Sequence, residues 1–196
     1  MTVSTTFGYS ATEDRIWLSC DAWPQRVWFP RRLVRGILRI TIAQLEAQAG
    51  GAQADDERPP SERIAAAHDA SLNKPRPGER GRALQMGRED ANAPALQTAV
   101  LCTRFVLERP GEHFDLVFHT PAGQRRLRLS RTGLHRWLHA LHMVLQGSDW
   151  ADWPAAPDWL TRSYLPPALQ SLLTLPPDGL DLEGDADEGD APRPGP

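Results

Sequence analysis

Cysteine, lysine and long apolar segments are scarce in this sequence of 196 residues. Two cysteines cannot form a disulfide framework, and alone they cannot supply the four ligands of a structural zinc site. No apolar run approaches the roughly 20 residues that a membrane-spanning helix needs, so we expect no membrane partner. Residues 1–10 lack a basic stretch followed by an apolar one, so we expect no secretory signal and predict a soluble, cytoplasmic protein.

Motifs of known catalytic chemistry are missing as well. The sequence contains no phosphate-binding loop, no Gly-x-Gly-x-x-Gly and no Gly-x-Ser-x-Gly. Cys20 and Cys102 both fall in predicted strands, without an adjacent histidine to activate a thiolate. We therefore predict a protein that is not an enzyme and needs no cofactor, with an enzyme of unfamiliar type as the open alternative.

Positive charge is carried almost entirely by arginine, since Lys74 is the one lysine among 22 basic residues. A GC-rich coding sequence and a need for guanidinium groups that bind phosphate or carboxylate both explain this bias. The net charge of −3 is unevenly spread, because residues 178–196 hold seven acids and one base. That segment carries −6, which leaves +3 on residues 1–177. We predict a disordered acidic tail over 178–196.

Two segments share one predicted order of elements: strand, turn, strand, helix. The first unit covers 1–49 with a helix over 31–48, and the second covers 96–147 with a helix over 131–146. An offset of 100 residues aligns the apolar faces of the two helices, pairing Val34 with Leu134 and Leu38 with Leu138. A true duplication and a chance likeness both explain this. We predict an α+β fold in which both units form antiparallel sheet packed with two long amphipathic helices.

The remaining segments differ in composition. Residues 50–95 are rich in Ala, Pro and Gly, which predicts a flexible or partly helical insertion with a short helix over Ser61–Leu72. Residues 148–177 form a segment rich in Trp, Leu and Pro. Because large rigid side chains suit docking to a partner, this segment supplies the candidate partner-binding residues Trp150, Trp153, Trp159 and Leu172. The alternative is that these side chains fold back and cap the core.

Histidines follow one edge of the second predicted helix at positions 135, 139 and 142. The i, i+4 spacing of His135 and His139 allows two imidazoles to share a metal ion. No Glu lies between them and no carboxylate or Cys is close in sequence, although His113 and His119 lie on the preceding strand. We predict no metal site, with His135 and His139 as weak candidate ligands and a polar helix flank as the simpler interpretation.

Arginines cluster near the strand-to-helix corners of both units. Guanidinium groups bind phosphates, and aromatic side chains such as Trp17, Trp28 and Phe105 on nearby strands stack on bases. The repeated order of strands and helix resembles that of PUR-type nucleic-acid-binding repeats, in element order alone. A nucleic-acid-binding alternative would therefore use Arg31, Arg35, Arg39, Arg125, Arg126, Arg128 and Arg131.

Two functional hypotheses result. The first is a non-enzymatic interaction or adaptor protein that binds a partner protein, with a homodimer through a sheet edge or the helices as a secondary expectation. The alternative is a nucleic-acid-binding protein with an autoinhibitory acidic tail. Nucleic-acid binding predicts an affinity that falls steeply with salt and rises when the tail is removed, whereas an adaptor predicts neither effect.

Overall fold

The structure, a computed structural model, describes residues 4–51, 57–74, 99–109, 111–150 and 156–161. These residues belong to one compact unit that ends at Thr161. The predicted acidic tail and parts of the 50–95 insertion, residues 52–56 and 75–95, lie outside the described residues. Within the described ranges, no helix is long and apolar enough to cross a membrane.

The first sheet starts as an antiparallel meander of β1 (Thr5–Ser10), β2 (Arg15–Cys20) and β3 (Val27–Phe29). Side chains alternate across a strand, so Ile16 and Leu18 point into the core while Trp17 lies on the opposite face. Trp17 packs there against Trp28, and Gly8 leaves the space that the Trp17 ring occupies.

A fourth strand, β4 (Val100–Leu101), joins this sheet in parallel with β3. The Val100 N–H donates to the carbonyl of Arg26, and the Cys102 N–H donates to that of Trp28. The parallel pair departs from the purely antiparallel arrangement that we predicted. It arises because the chain returns after the long insertion and enters along β3 in the same direction.

The second sheet is antiparallel and contains β5 (Arg104–Glu108), β6 (His113–Thr120) and β7 (Gly123–Ser130) in that order. Gly123 has φ 106° at the β6–β7 turn, a conformation that glycine adopts at little cost. The central strand β6 is buried on both faces, with Phe114 and Phe118 toward the core and Asp115 on the outer face. Three strands thus precede the helix of the first unit, and four strands, β4 to β7, precede the helix of the second.

The two helices at the 100-residue offset are α1 (Arg31–Gly50), which follows Pro30, and α3 (Arg131–Gln146). The Ser130 side chain caps α3 by accepting a hydrogen bond from the Gly133 N–H at 3.1 Å. The 100-residue offset aligns five positions of α1 with five of α3, and all ten side chains are buried. They are Val34, Ile37, Leu38, Thr41 and Leu45 on α1, and Leu134, Trp137, Leu138, Leu141 and Leu145 on α3.

The two units bury their apolar faces together, because each helix also contacts the other unit's sheet. Helix α1 packs on β5 of the second sheet, and α3 packs on β1 of the first. Phe118 lies where they meet, stacked on Phe29 at 5.4 Å between ring centroids and 6.2 Å from Trp137. The α+β class predicted from the sequence is therefore confirmed.

A further helix, α2 (Pro60–Asn73), lies within the 50–95 insertion and packs on both α1 and α3. Its C-terminal end is held by Arg136 of α3, which donates from Nε to the Ser71 carbonyl at 2.7 Å and from a terminal nitrogen to the carbonyl of Lys74. A four-residue helix, α4 (Asp158–Thr161), covers α2. The described residues thus contain three helices of 14 residues or more, where two long helices and a short one over Ser61–Leu72 were predicted.

Candidate functional site

Trp150 is buried against the first sheet. Its indole Nε1 donates to Asp14 Oδ1 at 2.5 Å, and its ring meets Tyr9 edge-on at 5.9 Å. The Arg31 guanidinium lies 5.2 Å from the Trp150 ring centroid and 3.2 Å from the same Asp14 oxygen. The hydrogen bonds from Trp150 and Arg31 lower the pKa of Asp14. This cluster ties the chain that follows α3 to the β1–β2 turn.

Trp159 on α4 is also buried and covers α2. Its Nε1 donates to Glu46 Oε1 of α1 at 3.2 Å, and its ring packs edge-on against His68 at 5.2 Å. Both Trp150 and Trp159 therefore cap the core, as in the alternative derived from the sequence, and neither indole presents a docking surface in this structure. The other two predicted partner-binding residues, Trp153 and Leu172, lie outside the described residues.

The seven arginines predicted for nucleic acid are distributed over three places. Arg35 and Arg39 are exposed on α1, whereas Arg31 binds Asp14 beside Trp150. Arg125, Arg126 and Arg128 lie on β7, and Arg131 opens α3. The aromatic residues proposed to stack on bases are buried, with Trp17 only 5% exposed. Side chains enclosed in this way have no free ring face for a base.

On β7, two of the arginines are held by one carboxylate. Arg128 donates to Asp115 from Nε at 2.7 Å and from Nη2 at 2.8 Å, and Arg126 donates to it at 2.6 Å. These bonds, with those from Arg128 the stronger, lower the pKa of Asp115 to about 2. Arg126 also binds Glu108 at 3.1 Å. Because carboxylates occupy both guanidinium groups, this face has little remaining affinity for phosphate.

Histidines from two helices meet in the core. The Nδ1 atoms of His68 on α2 and His135 on α3 lie 3.2 Å apart, and neither side chain is exposed to solvent. One ring donates its Nδ1–H and the other accepts. Burial, reinforced by repulsion from His139, lowers the pKa of His68 to about 4. Burial, reinforced by repulsion from His68 and Arg131, lowers the pKa of His135 to about 3.

The sequence paired His135 with His139, but the hydrogen-bonding partner of His135 is His68, from the insertion. The sequence signal that could have identified His68 as a core residue is its i+4 spacing from Ile64, which places both side chains on the buried face of α2. Burial also lowers the pKa values of His139 and His142. Among the described residues, no group of three or more His, Cys, Asp or Glu side chains is arranged to hold a metal ion.

Outside the core, His113 is exposed and His119 half-buried on the outer face of β6. The structure therefore keeps these two histidines on the second sheet, away from the imidazoles that α2 and α3 bring together. His119 pairs instead with Gln124, at 3.5 Å between ring Nδ1 and amide nitrogen.

No known family, curated protein or solved structure matches this chain. Of the predicted nucleic-acid residues, Arg35 and Arg39 of α1, Arg126 and Arg128 of β7 and Arg131 of α3 are exposed, and Arg126 and Arg128 are the ones bound to Asp115.

Proposed function

We propose that the protein binds nucleic acid through the arginine face of α1, formed by Arg32, Arg35 and Arg39. The observation that supports this most is the exposure of all three side chains on one helix. They occur at i, i+3 and i+7, so they follow one side of the helix over about 10 Å at 1.5 Å per residue. That length fits contacts to two or three successive phosphates.

The position of these arginines on the helix supports a binding role over a structural one. The N-terminus of a helix carries partial positive charge, so basic residues in its first turns weaken the helix by a few tenths of a kcal/mol each. Helix α1 has four arginines in its first nine residues and no acidic residue in its first turn. Bound phosphate would relieve this repulsion.

Negative charge on α1 is limited to Glu46, near the opposite end of the helix. Glu46 accepts the hydrogen bond from Trp159 and so belongs to the contact with α4. The arginine face therefore has no carboxylate of its own helix to compete with an acidic ligand. Because the aromatic residues nearby are buried, we expect contacts to the phosphate backbone with little sequence preference.

Fluorescence anisotropy with labelled single- and double-stranded oligonucleotides tests this proposal on the full chain. Three phosphate contacts predict a loss of roughly 20- to 40-fold in affinity between 50 and 200 mM salt. The double variant Arg35→Gln with Arg39→Gln should abolish most of this salt dependence, while Arg104→Gln, an exposed arginine of β5, is the matched control. A chain ending at residue 177 should bind more tightly if the acidic tail competes with nucleic acid.

A protein partner is the second proposal, and the edge of the first sheet supports it. Leu101 on β4 is 37% exposed, and β4 pairs with β3 alone among the described strands. An open strand edge can accept a strand from a partner or from a second copy of the chain. Oligonucleotide binding that is absent at low salt would refute the first proposal. Concentration-dependent association that Leu101→Lys weakens would then support this one.

A further inference from the structure

Among the three long helices of the described residues, α2 has the least apolar burial. Its buried side chains are Ile64, Ala65, His68 and Ser71, of which two are apolar. Each of α1 and α3 buries five apolar side chains. An element with few buried apolar contacts opens at a lower free energy than the whole domain. Since α2 belongs to neither sheet, it can separate from α1 and α3 without breaking the pairing between the described strands.

The contact between His68 and His135 lies in the buried face of α2. Both rings are fully buried, and their Nδ1 atoms are 3.2 Å apart. This contact requires one Nδ1 that donates and one that accepts. When both rings are protonated, each Nδ1 carries a hydrogen, so the hydrogen bond is replaced by repulsion between like charges. The two rings lie on different helices, and separating α2 from α3 removes that repulsion.

Charged and titratable groups of the surrounding helices act on this pair. Asp69 of α2 attracts a proton to His68. Three groups of α3 oppose protonation of the pair: Arg131, His139 and His142. Toward α4 the pair meets the uncharged Trp159 ring, 5.2 Å from the His68 ring centroid. Glu46 of α1 is bound to that indole, whose Nε1 donates to it at 3.2 Å. Asp69 therefore faces three opposing groups, and these surroundings favour the neutral pair.

A contact at the C-terminal end of α2 resists its separation. Arg136 of α3 donates there to the carbonyl oxygens of Ser71 and Lys74. A guanidinium group stays protonated at every pH that a folded protein meets, so these hydrogen bonds do not weaken on acidification. Arg136 therefore sets how often α2 opens at any pH, while the histidine pair sets how that opening depends on pH.

We propose that α2 is an acid-released helix, which separates from α1 and α3 when His68 and His135 are protonated while both sheets stay folded. Separation of α2 gives both imidazoles access to water, as unfolding of the whole chain does. It leaves the Phe29, Phe118 and Trp137 rings packed between the two units, so it costs less free energy than global unfolding. This device does not depend on nucleic-acid binding by α1.

The size of the effect follows from the proton affinities of the two forms. Burial lowers the pKa values of His68 and His135 to about 4 and about 3 in the docked form, whereas the released form has the ordinary value of 6.5. The contribution of the neutral pair to docking is therefore fully present above pH 6.5 and is lost as the pH falls toward 4. Between pH 7 and pH 5, the ratio of released to docked α2 should rise roughly 500-fold if both rings reach water, and about 20-fold if one does.

Hydrogen–deuterium exchange of the full chain, followed by mass spectrometry at pH 7, 6 and 5, tests this proposal. Each rate is divided by the intrinsic exchange rate of an unprotected amide at the same pH. The protection of α2 amides should fall by about 20-fold or more between pH 7 and pH 5, and β6 amides should remain roughly tenfold or more better protected than those of α2 at pH 5. Equal protection of α2 and β6 at pH 5, or α2 protection that does not change with pH, would overturn the proposal.

Variants separate the histidine pair from the rest of the α2 contact. His68→Gln with His135→Gln should remove the pH dependence of α2 exchange, and the matched control His119→Gln, on the outer face of β6, should keep it. A folded double variant with the wild-type pH dependence would contradict the proposal. Arg136→Gln keeps the pair and should raise α2 exchange by the same factor at pH 7 and pH 5, because the guanidinium does not titrate in that range. If Arg136→Gln leaves α2 exchange unchanged, α2 does not open locally and the proposal is wrong.

Discussion

Acidification should destabilise the fold through the His68–His135 pair. Burial lowers the pKa values of these imidazoles to about 4 and about 3, from 6.5 in an unfolded chain. A group with a lowered pKa in the folded state binds its proton more readily when the chain unfolds. The stability that depends on the neutral pair is therefore complete above pH 6.5 and is lost progressively as the pH falls toward 4.

The size of this effect at pH 5 follows from the difference between that pH and the pKa of 6.5 that both histidines have in the unfolded chain. At pH 5 both rings are still neutral in the folded state, and each is protonated in the unfolded chain. One pKa unit corresponds to about 1.4 kcal/mol, so 1.5 units cost about 2 kcal/mol for each ring. Protonation of the two rings on unfolding should therefore lower the protein's free energy of unfolding by about 4 kcal/mol between pH 7 and pH 5. This is a large share of the roughly 5–15 kcal/mol that stabilises a typical domain.

Other charged groups act on this pair as well. Arg131 and His139 of α3 repel a proton on the pair, while Asp69 of α2 attracts one. The double variant His68→Gln with His135→Gln removes the two titrating rings and leaves these neighbours in place. The difference in pH dependence between variant and wild type therefore isolates the pair, whatever the absolute stability of the variant.

Urea unfolding followed by tryptophan fluorescence at pH 7, 6 and 5 measures this difference. The double variant should lose about 4 kcal/mol less than the wild type over that range. His119→Gln, on the outer face of β6, should keep the wild-type pH dependence. If the double variant and the wild type lose stability equally, the two buried histidines do not hold lowered pKa values and the reasoning is refuted.

Three further predictions concern stability, each measured by thermal and urea unfolding at pH 7. Gly8→Ala should destabilise the fold by about 2 kcal/mol or more, because its Cβ would lie 2.2 Å from the Trp17 ring; Gly36→Ala, with open space around it, is the control and should stabilise α1 by about 0.5–1 kcal/mol. Asp115→Asn should lower the unfolding free energy by about 1–3 kcal/mol, nearer the lower figure because both arginines are half-exposed or more. In further urea unfolding between pH 4 and pH 2, the difference from wild type should shrink as the Asp115 carboxylate is itself protonated. Ser130→Ala should cost about 1 kcal/mol through loss of the α3 cap, and an unchanged melting temperature would contradict the role assigned to the Ser130–Gly133 bond.

The sequence by itself determined the local elements and their buried faces. A 3.6-residue period placed Val34 and Leu38 on the inner side of α1 and Leu134 and Leu138 on the inner side of α3. These signals work because the geometry of one helix or strand repeats over a few residues. Arg35 and Arg39, named from their position near the strand-to-helix corner, are exposed on α1 because they fall outside its apolar stripe.

Tertiary structure alone decided which of these faces and side chains meet. His68 and His135 are 67 residues apart, and Trp150 and Asp14 are 136 apart. Periodicity within one helix or strand cannot show which distant residues meet, so the sequence did not identify His68 as the partner of His135. It also left the role of Trp150 open between docking and capping the core. Arg63 of α2 and Arg131 of α3 likewise border one pocket only because α2 packs on α1 and α3. Which apolar surfaces cover one another depends on the burial of the whole chain, and that is settled only when the chain folds.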